Sequence, residues 1–76
     1  MTLDLLPLGQ EAVITAVGGG GALRCRLLDM GLIPRTAVRV EKTAPLGDPI
    51  ELRVRGYALS LRKEDARNIQ VEVAQS

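Results

Sequence analysis

Residues 23–34 read LRCRLLDMGLIP and are the only stretch of the chain that predicts a full helix with a marked end. Leu23, Leu27 and Met30 are spaced at i, i+4 and i+7, which places them on one side of a helix. An apolar stripe of this kind needs a core to cover it. The sequence therefore predicts a helix that packs with this side against the rest of the fold.

The end of this helix is better defined than its start. Gly31 lies where a left-handed residue closes a helix, and Leu32 can then fold back on Leu27. Pro34 follows and prevents the helix from resuming. We interpret Met30, Gly31 and Pro34 as structural residues of the helix end.

The composition limits both the core and the class of partner. The chain has 76 residues, enough for one domain with a small core. It contains no Phe, no Trp and one tyrosine, Tyr57, so Leu, Ile, Val and Ala must build the core. Ten basic and nine acidic residues give a net charge of +1. Nucleic-acid-binding proteins typically have a larger basic excess, so no nucleic acid partner is expected.

Three features indicate the compartment. The only cysteine, Cys25, cannot form an internal disulfide, which fits a reducing environment. The chain starts Met-Thr-Leu-Asp, without the basic residues that open a secretory signal. No apolar run approaches the roughly 20 residues that span a bilayer. We expect a cytoplasmic protein.

Short segments that alternate or carry β-branched residues predict five strands, at residues 12–17, 36–42, 50–55, 57–61 and 69–73. Alternation in the fourth segment points Tyr57, Leu59 and Leu61 inward.

The connections are predicted from glycines, prolines and short apolar runs. The glycines at 18–21 predict a mobile loop before the helix. Residues 62–68 predict one helical turn before the last strand. A tight turn between the second and third strands is indicated by Pro45, Gly47 and Pro49. An apolar segment before the first strand is expected to lie against the fold, and it contains Leu3, Leu5, Leu6 and Leu8.

Five short strands, a helix between the first two and a helical turn before the last predict a mainly β fold. A parallel α/β sheet would need several crossover helices, and the chain has one candidate. We predict a single domain over residues 1–76 with the architecture of a small SH3-like β-barrel. The OB-fold, which normally carries its helix between the third and fourth strands, is the alternative.

The sequence contains no recognisable catalytic site and no tight metal site. Ala22 and Leu23 follow the glycine run where a phosphate or dinucleotide loop needs other residues. Without a histidine or a second cysteine, the chain lacks the usual transition-metal ligands and a base for a nucleophile. We predict that the protein is not an enzyme and has no cofactor. The weak candidates for divalent metal binding are Asp29, Glu64 and Asp65.

Asp29 is unusual because a carboxylate in the last turn of a helix opposes the helix dipole. An ion pair with Arg26, at i, i+3 spacing, would explain its presence. Alternatively, Arg24, Arg26, Asp29 and Arg35 form a polar patch that a partner recognises. Leu28 supports this second interpretation, because it lies outside the apolar stripe. Both interpretations stay open.

Arginines are also predicted on the outer face of the strands. Arg39, Arg53 and Arg55 point outward and would suit a nucleic-acid-binding barrel, which is the competing function. Glu41 and Glu51 lie among them. Cross-strand ion pairs on a solvated face are therefore the favoured interpretation.

Three motifs occur in order, RLLDMGLIP at 26–34, APLGDPI at 44–50 and LSLRKEDA at 59–66, and IQV follows at 69–71. Together these segments resemble the FeoA family, the small cytoplasmic proteins of bacterial ferrous iron transport. Three separate motifs in order and at suitable spacing make the resemblance specific. The fold of this family is also similar to the C-terminal domain of iron-dependent repressors of the DtxR type.

The resemblance implies an SH3-like domain that binds the cytoplasmic GTPase region of the membrane transporter FeoB and supports Fe(II) uptake. Arg35 departs from the family, which often has glycine after the proline of the helix-end motif. Fe(II) sensing by the acidic candidates and self-association into a homo-oligomer stay open. We predict a partner-binding face that consists of Arg24, Arg26, Leu28, Asp29 and Arg35.

Overall fold

A computed structural model of the chain describes residues 1–74. Within these residues, a 3₁₀ turn at Leu3–Leu5 precedes five β-strands and two α-helices. In chain order these are β1 (Glu11–Val17), α1 (Gly21–Asp29), β2 (Ala37–Thr43), β3 (Ile50–Val54), β4 (Tyr57–Leu61), α2 (Lys63–Ala66) and β5 (Ile69–Val73). Within the described residues, no helix has the length and apolar character needed to cross a membrane.

The strands form one antiparallel sheet in the order β4, β3, β2, β1, β5. This confirms the predicted mainly β fold. The prediction of a closed barrel is wrong, because β4 and β5 are the two edges and do not pair within residues 1–74. The N-terminus takes the outer edge of β5 instead: Thr2 bridges Gln70, and the Val71 N–H donates to the Met1 carbonyl over 2.8 Å.

Aliphatic side chains from every strand build the core, as the composition requires. The largest fully buried side chains are Leu3, Ile14, Leu27, Leu32, Leu52, Ile69, Val38 and Val54. The apolar N-terminal segment is only half packed, because Leu3 and Leu6 are buried whereas Leu5 and Leu8 are exposed.

α1 begins at Gly21, so the glycine loop is one residue shorter than predicted. The N–H of Gly18 donates to the Asn68 carbonyl over 2.7 Å, which ties this loop to the segment between α2 and β5. Of the apolar stripe, Leu27 is fully buried. Leu23 and Met30 are half-buried against the edge of the core. The stripe is therefore covered completely only at its centre.

Candidate partner-binding groove

The end of α1 is fixed by a hydrogen-bonded cap. The Leu32 N–H donates to the Leu27 carbonyl at 3.1 Å, and the Gly31 N–H donates to the Leu28 carbonyl at 3.0 Å. Gly31 has a φ of +93°, in the left-handed region that glycine adopts at little cost. Leu27 and Leu32 are both fully buried, so the cap also joins two core side chains. The Gly31 and Leu32 pattern in the sequence indicates this cap.

Tyr57 connects β4 to the end of α1. Its hydroxyl donates a hydrogen bond to the Met30 carbonyl, one of the acceptors that a helix end leaves free. A Cβ atom at Gly31 would overlap with this hydroxyl. The predicted inward orientation of Tyr57 is wrong, since the residue is 43% exposed. A phenol hydroxyl needs a polar partner, and here the carbonyl of Met30 supplies it.

Ion pairs line the other side of this region. Arg26 Nη2 lies 3.4 Å from Asp65 Oδ2, and Arg62 Nη1 lies 3.7 Å from Glu64 Oε1. Arg26 therefore pairs with α2 and not with Asp29. Both pairs are partly exposed, and such pairs contribute at most about 1 kcal/mol to stability. They set the charge of the surface more than they hold the fold.

α1, β4 and α2 enclose a groove of about 580 Å³, which we call the β4 groove. Its lining residues are Arg26, Met30, Ser60, Leu61, Arg62, Glu64 and Asp65. A second cleft of about 430 Å³ continues from Arg62 and Glu64 to Asp48 and Pro49. The three main sequence motifs, which are distant in the chain, therefore meet along one groove.

The turn between β2 and β3 is attached to the start of α2. Within the turn, the Gly47 N–H donates to the Ala44 carbonyl at 2.7 Å, and the Ala44 N–H donates to the Pro49 carbonyl at 3.0 Å. The Asp48 carboxylate accepts a hydrogen bond from the Lys63 N–H at 3.0 Å, an N–H that α2 itself leaves without an acceptor. No local sequence pattern indicates this role of Asp48, because its hydrogen-bond partner lies 15 residues further along the chain.

The remaining residues of the predicted partner-binding face lie outside the β4 groove. Arg24 Nε donates to the Val17 carbonyl at 2.9 Å. Two residues along a helix differ by about 200°, so Arg24 and Arg26 project from opposite sides of α1. Leu28 is half-buried against the core, and Asp29 is exposed. The structure brings Arg26 together with α2 but does not join it to Arg24.

Arg35 is exposed and has a left-handed backbone with a φ of +74°. Its N–H donates to the Ile14 carbonyl at 2.6 Å, and the Ile14 N–H donates to the Thr36 carbonyl at 2.9 Å. These bonds hold the chain in place just before β2. A residue with a Cβ atom is strained in this region, whereas glycine is not. The geometry thus gives a physical reason for the glycine that the resemblance leads us to expect after Pro34.

The acidic candidates for metal binding are dispersed. Glu64 and Asp65 each pair with an arginine. Across residues 1–74, no group of three or more His, Cys, Asp or Glu side chains is placed to hold a metal ion. The described residues therefore do not assemble Asp29, Glu64 and Asp65 into one site.

Glu41 organises the outer face of the sheet. Its Oε1 lies 3.1 Å from Arg39 Nη2 and 2.7 Å from Arg53 Nε. Arg39 and Arg53 are opposite each other on β2 and β3, so Glu41 offsets their repulsion. Hydrogen bonds from Arg39 and then from Arg53 hold the pKa of Glu41 below its ordinary value. The pair between Arg53 and Glu41 confirms the predicted cross-strand ion pairing.

A family model described as the FeoA domain matches residues 1–73. The chain belongs to the FeoA family. This FeoA chain is 43% identical over 76 residues to the Fe(2+) transport protein A/Fe(2+) transporter FeoB fusion protein of Porphyromonas gingivalis. The match covers the whole FeoA chain and 9% of the fusion protein, so the chain spans less than a tenth of that relative.

Solved structures of FeoA proteins are similar to the chain over nearly its full length. The NMR structure of a FeoA-like protein from Clostridium acetobutylicum has a TM-score of 0.91 at 37% identity, and the match covers 100% of this chain and 88% of that one. The crystal structure of Stenotrophomonas maltophilia FeoA complexed with zinc has a TM-score of 0.83 at 30% identity, with 95% and 89% coverage. That protein is described as a prokaryotic SH3 domain protein, which supports the SH3-like fold.

Proposed function

We propose that this FeoA chain is a cytoplasmic accessory protein of ferrous iron uptake that binds the GTPase region of a FeoB-type transporter. The fusion relative carries the proposal, because in it a segment 43% identical to this chain is joined covalently to a FeoB transporter. Fusion raises the effective concentration of one domain for the other, which is useful where the two domains act together.

The surface of the chain suits binding. A stable interface buries about 800 Å² on each partner, a large share of the 4628 Å² of accessible surface of this small chain. One side of the nine-residue helix α1 is too small to supply that area. We therefore extend the predicted face from Arg26, Leu28 and Asp29 into the β4 groove and keep Arg35 in it. We leave out Arg24, which projects from the opposite side of α1.

Iron uptake in cells tests this face. The double variant Arg26→Glu with Asp29→Lys reverses two exposed charges and keeps the net charge. We expect transporter-dependent Fe(II) uptake to fall about tenfold or more, because the reversed charges would oppose the charges of a partner that fits this surface. Because both side chains are exposed, the fold should be unchanged.

A second double variant is the matched control. Lys42→Glu with Glu72→Lys makes the same two charge changes at exposed positions on β2 and β5 that line neither α1 nor the β4 groove. Uptake should stay close to that of the unchanged chain. Equal uptake by both double variants would remove the α1 face from the proposal. Steeply salt-dependent binding to RNA or DNA would instead favour the competing nucleic-acid-binding function.

A further inference from the structure

The outer edge of β4 carries backbone groups that have no partner within the described residues 1–74. The β3–β4 hairpin has a two-residue turn, so the pair that flanks it, Val54 and Tyr57, is hydrogen-bonded. Hydrogen-bonded pairs alternate along an antiparallel ladder. Ala58 and Ser60 therefore direct both their N–H and their C=O groups away from β3. Within residues 1–74, no other backbone or side-chain group bonds to these four groups.

This edge also lacks the usual protection against pairing. Natural edge strands carry charged residues, prolines or bulges that discourage another strand. The sequence of β4 is YALSL, without a charge or a proline, and its pairing with β3 has no register shift. Both Ala58 and Ser60 are exposed. The opposite edge, on β5, is covered by Met1 and Thr2.

The unpaired edge lies beside the β4 groove. Ser60 and Leu61 form one wall, and Arg26 and Met30 of the α1 end contribute to the other. The hydrogen bond from Tyr57 to the carbonyl of Met30 joins β4 to the end of α1 beside the groove. The groove continues into the second cleft at Arg62 and Glu64. A strand edge that faces a helix across a groove has the shape that accepts an extended peptide.

We propose that an extended segment of the transporter's cytoplasmic region binds in the β4 groove and adds to β4 as a further strand. The inference rests on the proposed function, because it specifies which part of the same partner binds and in what conformation. Main-chain hydrogen bonds to Ala58 and Ser60 would give affinity, and alternate side chains would enter the groove.

The groove also limits the chemistry of this segment. Its charges are already paired, Arg26 with Asp65 and Arg62 with Glu64. A charged side chain that entered would compete with these pairs and gain little. The half-buried Met30 favours an apolar side chain. The segment is therefore extended and apolar on its inward side, as β-branched strands are.

The usual proline-rich ligand of SH3 domains does not fit this surface. Proline-rich segments bind in grooves lined by aromatic side chains. This chain has a single aromatic residue, and its hydroxyl is already bonded to Met30. Strand addition to β4 needs no aromatic residue, because the main chain of β4 supplies the contacts.

Amide hydrogen exchange, followed by NMR, tests the proposal on the unchanged chain. The probe is the purified cytoplasmic GTPase region of the FeoB-type transporter from the same organism. With saturating probe, exchange at Ala58 and Ser60 should slow about tenfold or more, because their N–H groups become hydrogen-bonded. The neighbouring amides of Tyr57, Leu59 and Leu61 already bond to β3 and should change much less. This alternation is the signature of strand addition.

A proline variant provides an independent test. Ser60→Pro removes an N–H that the pairing with β3 does not use, so the hairpin should persist. We expect affinity for the probe to fall about tenfold or more, which corresponds to the loss of the hydrogen bond from the Ser60 N–H. The matched variant Ser60→Thr keeps the N–H and should keep the affinity. If the proline variant does not fold, the hydrogen-exchange pattern of the unchanged chain still tests whether a strand adds to β4.

The outcomes separate the two proposals. Binding of the probe without new protection at Ala58 and Ser60 would overturn the β4 proposal and leave the proposed function intact. Uniform protection of all five β4 residues would indicate general stabilisation and would also overturn it. No binding of the probe at all would overturn both.

Discussion

The two edge strands of the sheet, β5 and β4, differ in whether their outward main-chain groups are hydrogen-bonded. At β5, the Met1 amine donates to the Val71 carbonyl and the Val71 N–H donates back to Met1. Thr2 bridges Gln70 next to them. At β4, the outward main-chain groups of Ala58 and Ser60 have no partner among residues 1–74 and lie beside an open groove. Because an open edge invites aggregation, the difference indicates that β5 is closed by the chain itself and β4 is kept for a partner.

Leu3→Ala, at the β5 edge, should cause the largest loss of stability. Leu3 is fully buried and anchors the segment that covers β5. Its truncation should lower the free energy of unfolding by about 2–4 kcal/mol, through lost burial and the cavity that remains. Urea denaturation measures the change. The neighbouring Leu5 is 64% exposed, and Leu5→Ala should change stability by about 0.5 kcal/mol or less. Similar losses in both variants would show that Leu3 is not the anchor.

Gly31→Ala, near the β4 edge, should cause the second-largest loss of stability. The added Cβ atom meets a left-handed backbone and the Tyr57 hydroxyl that joins β4 to α1. We expect the free energy of unfolding to fall by about 1–3 kcal/mol. Gly21→Ala is the control, because its Cβ atom would meet open space at the start of α1. It should be neutral or stabilising. Thermal unfolding of the two variants should shift in opposite directions or by clearly different amounts.

Arg35 precedes β2, an inner strand of the sheet. Arg35→Gly should therefore leave the pairing at both edge strands unchanged. Glycine removes the strain of the left-handed backbone, so the free energy of unfolding should rise by about 0.5–1 kcal/mol. Arg35→Ala removes the same charge but keeps the Cβ atom. A gain of equal size in the alanine variant would attribute the effect to charge and not to the backbone.

Glu41→Gln should have the smallest effect on stability, and the size of that effect should depend on pH. The pKa of Glu41 in the folded state lies below the ordinary value of 4.5, because Arg39 and Arg53 stabilise the carboxylate. This contribution to stability is therefore present above pH 4.5 and is lost as the pH falls through the lower folded pKa. Glu41→Gln should make the fall in stability between pH 6 and 3 less steep. Identical slopes for both proteins would contradict this assignment.

The local features of the fold follow well from the sequence. The end of α1 depends on Gly31 and Leu32, whose roles are set by neighbours within one turn. The inward positions of β3 follow from alternation over five residues, and all of them are buried. Such short-range patterns predict local structure because the interactions that determine it are between residues close in sequence.

The features that the sequence does not indicate depend on contacts between distant residues. Closure of the barrel needs β4 to pair with β5, but the N-terminal residues occupy that edge of β5. Arg26 finds Asp65 at a separation of 39 residues, which helical spacing alone cannot suggest. Tyr57 follows the strand alternation but turns its hydroxyl to the carbonyl of Met30. The β4 groove results from these long-range contacts, so sequence patterns alone do not indicate which residues line it.

Direct binding is the measurement that tests the central claim most directly. Isothermal titration calorimetry of the purified chain with the GTPase region of the FeoB-type transporter should give a one-to-one complex with a Kd of about 1–100 μM, in the range of transient partners. The double variant Arg26→Glu with Asp29→Lys should weaken it about tenfold or more. Absence of binding at about 100 μM of both proteins, with the chain folded, would contradict the account.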